Sequence, residues 1–271
     1  MQVELKHKVE HHKKLFESYW IDQKNLSYKG NVYHMAFYKR FNKDTGGIFF
    51  TLRDENVTKE EYLEAFELYT LLLTRYGKTL KYGTERKNIN MIGFEKTNTY
   101  LNDVQNNTSL TKEDSSIINS LHDSIEQILD YQKQLSNLMN RFNNFIKSKE
   151  PKNIYTPEDV DEILKMNAEL DYLQNRQINL LIDSTDEFKL LQQIIQHNPD
   201  LSNAEINKYI AEFTKGKEQM RQELAQATYI DTSKVQSKEE YMDAYIQDYI
   251  QRQRNSNKKI IKELRYPVNL T

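Results

Sequence analysis

The side chains best spaced to bind a metal ion lie near the start of the chain. Glu4, His7 and His11 have i, i+3 and i+7 spacing, so on a helix they would share one face and offer one oxygen and two nitrogens to a divalent ion. This spacing is common by chance, and a solvated helix face explains it more simply, because no cysteine and no second ligand cluster accompanies it. We therefore predict no metal and no other cofactor.

Carboxylate pairs that could serve as general acid and base are plentiful, Glu60 with Glu61 among them. Such a pair needs a pocket that separates the two pKa values, whereas these pairs lie at predicted helix starts, where the helix dipole favours them. The phosphate-binding loops GxxxxGK[ST] and GxGxxG, the zinc motif HExxH and the hydrolase motif GxSxG do not occur. We therefore assign no catalytic residue and expect a protein that is not an enzyme.

Aromatic and basic residues mix along residues 33–43, with Tyr38 and Arg40 at the centre. Rings in such a segment can stack on bases while cations meet phosphates. The chain as a whole has 38 basic and 40 acidic residues and a formal charge of -2, so no overall field attracts nucleic acid. An aromatic core strand that ends in a basic turn is the simpler interpretation, and we keep Tyr38 and Arg40 as candidate interaction residues.

Tyr241, Tyr245 and Tyr249 have i, i+4 and i+8 spacing and would form a continuous aromatic stripe on a helix. Core packing is the default interpretation of such a stripe. An interface with another protein is the alternative, because tyrosine is enriched at binding hot spots.

The composition favours long helices that each bury one stripe. Apolar residues make up 38% of the 271 residues, the mean hydropathy is -0.84, and only 7 Gly and 4 Pro are available for tight turns. No stretch approaches the roughly 20 apolar residues that span a bilayer. We expect no transmembrane segment and a cytoplasmic or virion-associated protein, or an extracytoplasmic one if a leader has been removed.

Residues 1–110 predict a small α+β unit. It would begin with a helix over residues 2–19, continue with a β-hairpin at about 28–53 and add a packing helix at 59–76. Residues 78–110 indicate only a short second hairpin and a brief helix near Tyr100.

Residues 111–271 predict a helical unit that opens with an antiparallel coiled-coil hairpin, residues 112–149 and 157–196, followed by two C-terminal helices. Its two helices repeat the three-and-four step of a heptad seam. The seam positions are Ile118, Leu121, Ile125, Ile128, Gln132, Leu135, Met139, Phe142 and Ile146, then Ile163, Met166, Leu170, Leu173, Gln177 and Leu180.

One polar residue interrupts each seam, Gln132 on the first helix and Gln177 on the second. They lie at similar distances from the turn, so in an antiparallel hairpin they should meet. Two buried amides that pair with one another fix the register of a coiled coil. The alternative is that both lie at a solvated edge.

These features favour a mainly α protein with a small α+β N-terminal unit that acts through protein–protein contacts or self-association. A structural or scaffolding role, as in a phage virion or assembly component or a bacterial adaptor, is the leading hypothesis. The mature domain of a Gram-positive surface lipoprotein is the first alternative. An enzyme or nucleic-acid binder that uses the N-terminal β-hairpin is the second.

Overall fold

The computed structural model describes residues 5–6, 19–40, 46–52, 57–72, 91–105, 107, 109–214, 235 and 237–263. These residues form a mainly α protein with a small sheet, which confirms the predicted fold class. The chain divides into two compact units that alternate in sequence. The mixed unit comprises Met1–Arg75, Phe142–Met166 and Asp243–Thr271, and the helical unit comprises Tyr76–Arg141 and Asn167–Met242. The division therefore does not fall at residue 110.

The sheet of the mixed unit has five strands in the order β1-β4-β3-β2-β5. Antiparallel pairing joins the first four, and β5 runs parallel to β2. The strands are β1 (Leu5–Lys6), β2 (Tyr19–Tyr28), β3 (Asn31–Arg40), β4 (Gly46–Leu52) and β5 (Ile154–Tyr155).

The hairpin of β3 and β4 lies within the predicted range of 28–53, but a second hairpin precedes it. Lys29 and Gly30 have φ angles of 48° and 81°, and two consecutive positive values are typical of the type I′ turn that suits strand twist. The predicted helix over residues 2–19 is wrong where the structure describes it, because Leu5–Lys6 and Tyr19 belong to strands. The Lys-Gly dipeptide that precedes the aromatic segment of residues 33–43 is the sequence signal for this first hairpin.

Helix α1 (Lys59–Leu72) covers one face of this sheet. Leu26 and Tyr33 are register partners on that face and both are fully buried. The ring of Tyr62 lies 6.2 Å from that of Tyr33, and the Tyr69 hydroxyl donates to the Lys24 carbonyl oxygen at 2.6 Å. The last four residues of the predicted helix at 59–76 lie outside the described residues.

The two hairpin helices are α3 (Lys112–Ser148) and α4 (Pro157–Asp183), and α2 (Met91–Val104) comes before them. Capping boxes begin α3 and α4: Thr111 and Asp114 bond each other's amides, as do Thr156 and Asp159. The short second hairpin expected near residues 79–94 is wrong at its end, because residues 91–94 are the first turn of α2.

The predicted helix at 157–196 is confirmed as one long helix that bends at Ser184. We label its two parts α4, which ends at Asp183, and α5 (Thr185–His197). Main-chain hydrogen bonds continue across the bend, from the Ser184 amide to Leu180 and from the Phe188 amide to Ser184. The Ser184 and Thr185 hydroxyls donate back to the carbonyl oxygens of Leu180 and Leu181 at 2.7 and 3.2 Å. Such back-bonding bends helices, which explains a bend that the heptad pattern did not indicate.

The helical unit is closed by α6 (Ala204–Phe213), and its core joins residues of α2, α3, α5 and α6. Three rings meet at its centre: Phe94 stacks on Phe213 at 4.1 Å between centroids, and Phe188 lies 5.1 Å from Phe213. The last helix is α7 (Lys238–Glu263). Among the described helices, none combines the length and the apolar character needed to cross a membrane.

Replacing Leu135 by Asp tests whether the seam of α3 contributes to stability. Leu135 is 8% exposed, so the change buries an unpaired carboxylate and should destabilise the fold by about 3 kcal/mol or more. Urea denaturation followed by circular dichroism measures the loss. Asn137→Asp, at an exposed position of the same helix, is the matched control. Equal midpoints for the two variants would contradict a buried seam.

Candidate functional site

A stripe of polar residues runs along α4 within the helical unit. Asn167, Asp171 and Asn175 have i, i+4 and i+8 spacing, so they share one face of the helix. Asn167 is 3% and Asn175 5% exposed, and Asp171 is half-buried. A buried polar stripe on a helix is unusual because each group needs a partner.

Tyr241, in the first turn of α7, supplies a partner for Asp171 and Asn175. Its hydroxyl donates to Asp171 Oδ2 and accepts a hydrogen bond from Asn175 Nδ2. Asn175 Nδ2 also donates to Asp171 Oδ2 at 3.0 Å, which closes a triangle of hydrogen bonds. We call Tyr241, Asp171 and Asn175 the tyrosine clasp.

Two further contacts surround the tyrosine clasp. The ring of Tyr172 meets that of Tyr241 edge-on, with centroids 5.4 Å apart. One turn earlier on α7, Lys238 forms an ion pair with Glu169. Tyr241 is 3% exposed, so its side chain packs within the protein. This is what the core-packing interpretation of the tyrosine stripe expects.

The other two residues of the tyrosine stripe lie in the part of α7 that belongs to the mixed unit. Tyr245 and Tyr249 are half-buried, and the Tyr249 hydroxyl accepts a hydrogen bond from Gln253 Nε2 at 3.1 Å. The three tyrosines therefore have different surroundings, and only the last two present surface to solvent.

The same part of α7 contacts α1 through polar groups. Asn257 Nδ2 donates to Thr70 Oγ1 at 2.9 Å, and both side chains are 4% exposed. Arg254 forms an ion pair with Glu67 one turn earlier on each helix. This is a second buried polar contact between two helices.

Gln132 and Gln177 meet in the seam of α3 and α4. Gln177 Nε2 donates to Gln132 Oε1 and to the Ile128 carbonyl oxygen, each at 3.2 Å. Gln177 is 4% exposed and Gln132 half-buried. The heptad spacing predicts this contact.

Tyr38 and Arg40 lie near the end of β3, opposite Ile21 and Tyr19 of β2. Tyr33, which belongs to the same aromatic segment, is fully buried beneath α1 and cannot stack on a base. The other end of the segment, Phe41 and Lys43, lies outside the described residues. The structure therefore places one ring of the proposed nucleic-acid surface in the core.

Ionisable groups in the helical unit contribute to its structure. Burial raises the pKa of Tyr100 to about 12, so its hydroxyl stays protonated and donates to the Leu201 carbonyl oxygen at 2.8 Å. A hydrogen bond from Lys96 lowers the pKa of Glu205, and the same bond raises the pKa of Lys96. Both residues are exposed, so this pair adds little stability.

Histidines and carboxylates form no metal site in the part of the chain that the structure describes. Glu4, His7 and His11 lie outside that part. His34 Nδ1 contacts Asn25 Oδ1 at 2.5 Å within the sheet.

Comparison with known proteins gives no relative: no protein family, no curated protein and no solved structure matches the chain significantly. The candidate site is thus defined by its own contacts.

Replacing Tyr241 by Phe tests the tyrosine clasp. The change keeps the ring but removes the hydroxyl, which leaves Asp171 and Asn175 without their shared partner, and we expect a loss of about 1–3 kcal/mol in unfolding free energy. Tyr172→Phe is the control, since it keeps the ring that contacts Tyr241. Urea denaturation of both variants measures the difference. Equal losses would mean that the hydroxyl of Tyr241 contributes nothing specific.

A double-mutant cycle tests the glutamine pair. Gln132→Leu and Gln177→Leu each leave one amide without its partner and should destabilise the fold, whereas the double change restores an apolar seam. We expect the unfolding free energy of the double variant to exceed, by about 1 kcal/mol or more, the value that the sum of the two single losses predicts. Additive losses would show that the two amides do not interact.

Proposed function

We propose that this protein has a structural or scaffolding role and acts through contacts with other proteins, as a component of a phage virion, of an assembly machine or of a bacterial adaptor complex. It would not be an enzyme. The residues that support this proposal are those that hold helices together.

One observation carries the proposal: polar side chains that are buried pair with one another across helices. Gln132 pairs with Gln177, Tyr241 with Asp171 and Asn175, and Asn257 with Thr70. In an active site, buried polar groups point toward a substrate and their pKa values are shifted to suit a reaction. Here they set which helices meet and in which register, a use that suits a protein whose task is to hold a shape.

The surface proposed for the partner is the exposed part of α7 around Tyr245 and Tyr249. Both side chains are half-buried, and the exposed residues Gln247 and Lys258 lie on the opposite side of the same helix. Tyrosine suits such a contact because its ring covers apolar area while its hydroxyl can bond to the partner. Tyr38 and Arg40 remain a second candidate contact.

Crosslinking in the native host, combined with light scattering of the purified chain, tests this function. We expect self-assembly or one dominant protein partner, with crosslinks from Lys258 on α7 more frequent than crosslinks from Lys133. Both lysines are exposed, and Lys133 lies on α3, so it serves as the internal control.

The proposal would be rejected by a monomer that carries only nucleic acid or a small molecule. A dominant partner crosslinked mainly to Lys133 would keep the scaffold role but move the contact from α7 to α3.

A further inference from the structure

Strand β2 is much longer than the strand on its outer edge. On its inner side β3 pairs with it from Tyr19 to Tyr28. On its outer side β5 pairs only with Asn25 and Leu26. Within the described residues, no strand pairs with the outer edge of β2 between Tyr19 and Lys24.

The hydrogen bonds of Asn25 show which main-chain groups face that edge. The Asn25 amide donates outward, to the Asn153 carbonyl oxygen at 3.0 Å. Main-chain groups alternate between the two sides of a strand, so the amides and carbonyls of Tyr19, Ile21 and Gln23 also point outward. Those of Trp20, Asp22 and Lys24 point toward β3.

The pairing of β2 with β3 agrees with this assignment. If Asn25 points outward, Asn25 and His34 form a pair without main-chain hydrogen bonds, and in such pairs the side chains are closest. Their side chains are in contact at 2.5 Å.

A row of outward amides and carbonyls is a template for another strand. The parallel pairing of β5 shows that this edge of β2 accepts one. The remaining part of the edge, Tyr19 to Gln23, is as long as a typical strand, and it ends where β5 begins.

We propose that this part of β2 pairs antiparallel with the same strand of a second copy of the chain, with Ile21 opposite Ile21 of the copy. The proposal rests on the proposed function through protein contacts and names one such contact. Tyr19 then lies opposite Gln23 of the copy, and every outward main-chain group between Tyr19 and Gln23 has a partner. The pairing has the twofold symmetry of the commonest dimers.

Two features select this register over the next one. Shifting the copy so that residue 22 becomes the centre places Asp22 opposite Asp22, and like charges directly opposite are destabilising. That shift also places Tyr19 opposite Asn25, whose amide is already bonded to Asn153. In a register offset by a single residue, the main-chain groups that point outward from one strand would lie opposite residues of the other strand whose groups point inward.

A pairing this short should give a weak dimer. Interfaces of small area are typical of transient complexes, so we expect dimerisation to depend on concentration. Hydrogen exchange at single amides, measured by NMR on the full chain from about 10 μM to about 1 mM, detects it directly. The amides of Tyr19, Ile21 and Gln23 should become at least 10-fold better protected at the high concentration. Those of Trp20, Asp22 and Lys24 should be protected at both concentrations, because they bond to β3.

A proline variant is the second test. Ile21→Pro removes an amide that faces outward and so leaves the pairing with β3 intact, whereas Ile21→Ala keeps the amide and is the matched control. We expect Ile21→Pro to weaken dimerisation at least 10-fold in sedimentation equilibrium and Ile21→Ala to change it much less.

Three results would overturn the pairing. A monomer at all concentrations excludes it, protection that does not change with concentration means that the chain covers this edge itself, and an unchanged dimer in the Ile21→Pro variant places self-association elsewhere. If the proline variant unfolds, the exchange pattern of the unmodified chain decides. None of these results touches the crosslinks of α7 that test the proposed function, so the two proposals can fail separately.

Discussion

A polar side chain loses its water when it is buried, and the fold must return a hydrogen bond to it or lose stability. In this protein that constraint acts at contacts between helices. The amides of Gln132 and Gln177 satisfy each other, the Tyr241 hydroxyl satisfies Asp171 and Asn175, and Asn257 satisfies Thr70. Apolar side chains would tolerate a small slide of one helix along the other, whereas these groups bond at one position only. The apolar seams supply most of the favourable burial, and the polar pairs determine the register in which the seams meet.

The sequence predicted some of these contacts and not others, and the difference follows from connectivity. A short turn joins α3 to α4, so counting residues outward from the turn is enough to bring Gln132 and Gln177 to the same height. Tyr241 is separated from Asp171 by 70 residues in sequence, and no count can place it against α4. The spacing of Asn167, Asp171 and Asn175 was a usable signal, because a polar stripe beside an apolar seam indicates that a polar partner covers it.

Two departures from the predicted fold have local causes. The second hairpin helix bends at Ser184, because the hydroxyls of Ser184 and Thr185 bond back to the preceding turn, and the spacing of apolar residues does not indicate such a bend. For the N-terminal helix, the lysines, histidines and glutamates of residues 2–19 suit a helix by propensity, yet Tyr19 to Tyr28 form a strand. At Tyr19, pairing with β3 in a complete hairpin outweighs a weak helical preference, and the turn at Lys29 and Gly30 makes that hairpin possible.

The way β5 is held shows how a helical hairpin can become part of a sheet. The turn between α3 and α4 contributes only Ile154 and Tyr155 as a strand, but the contact with β2 is made several times over. The Asn25 amide and side chain bond to Asn153 and Lys152, Tyr155 is 1% exposed, and Lys24 Nζ lies 5.9 Å from the ring of Tyr155. A two-residue strand has too few main-chain bonds to be stable alone, so the buried ring and the side-chain amide must complete it.

The same reasoning explains why the sheet can leave part of β2 uncovered by β5. The turn needs only the short part of the β2 edge that pairs beside Tyr155. The chain then enters α4 at Pro157, and proline has no amide hydrogen with which to continue the pairing.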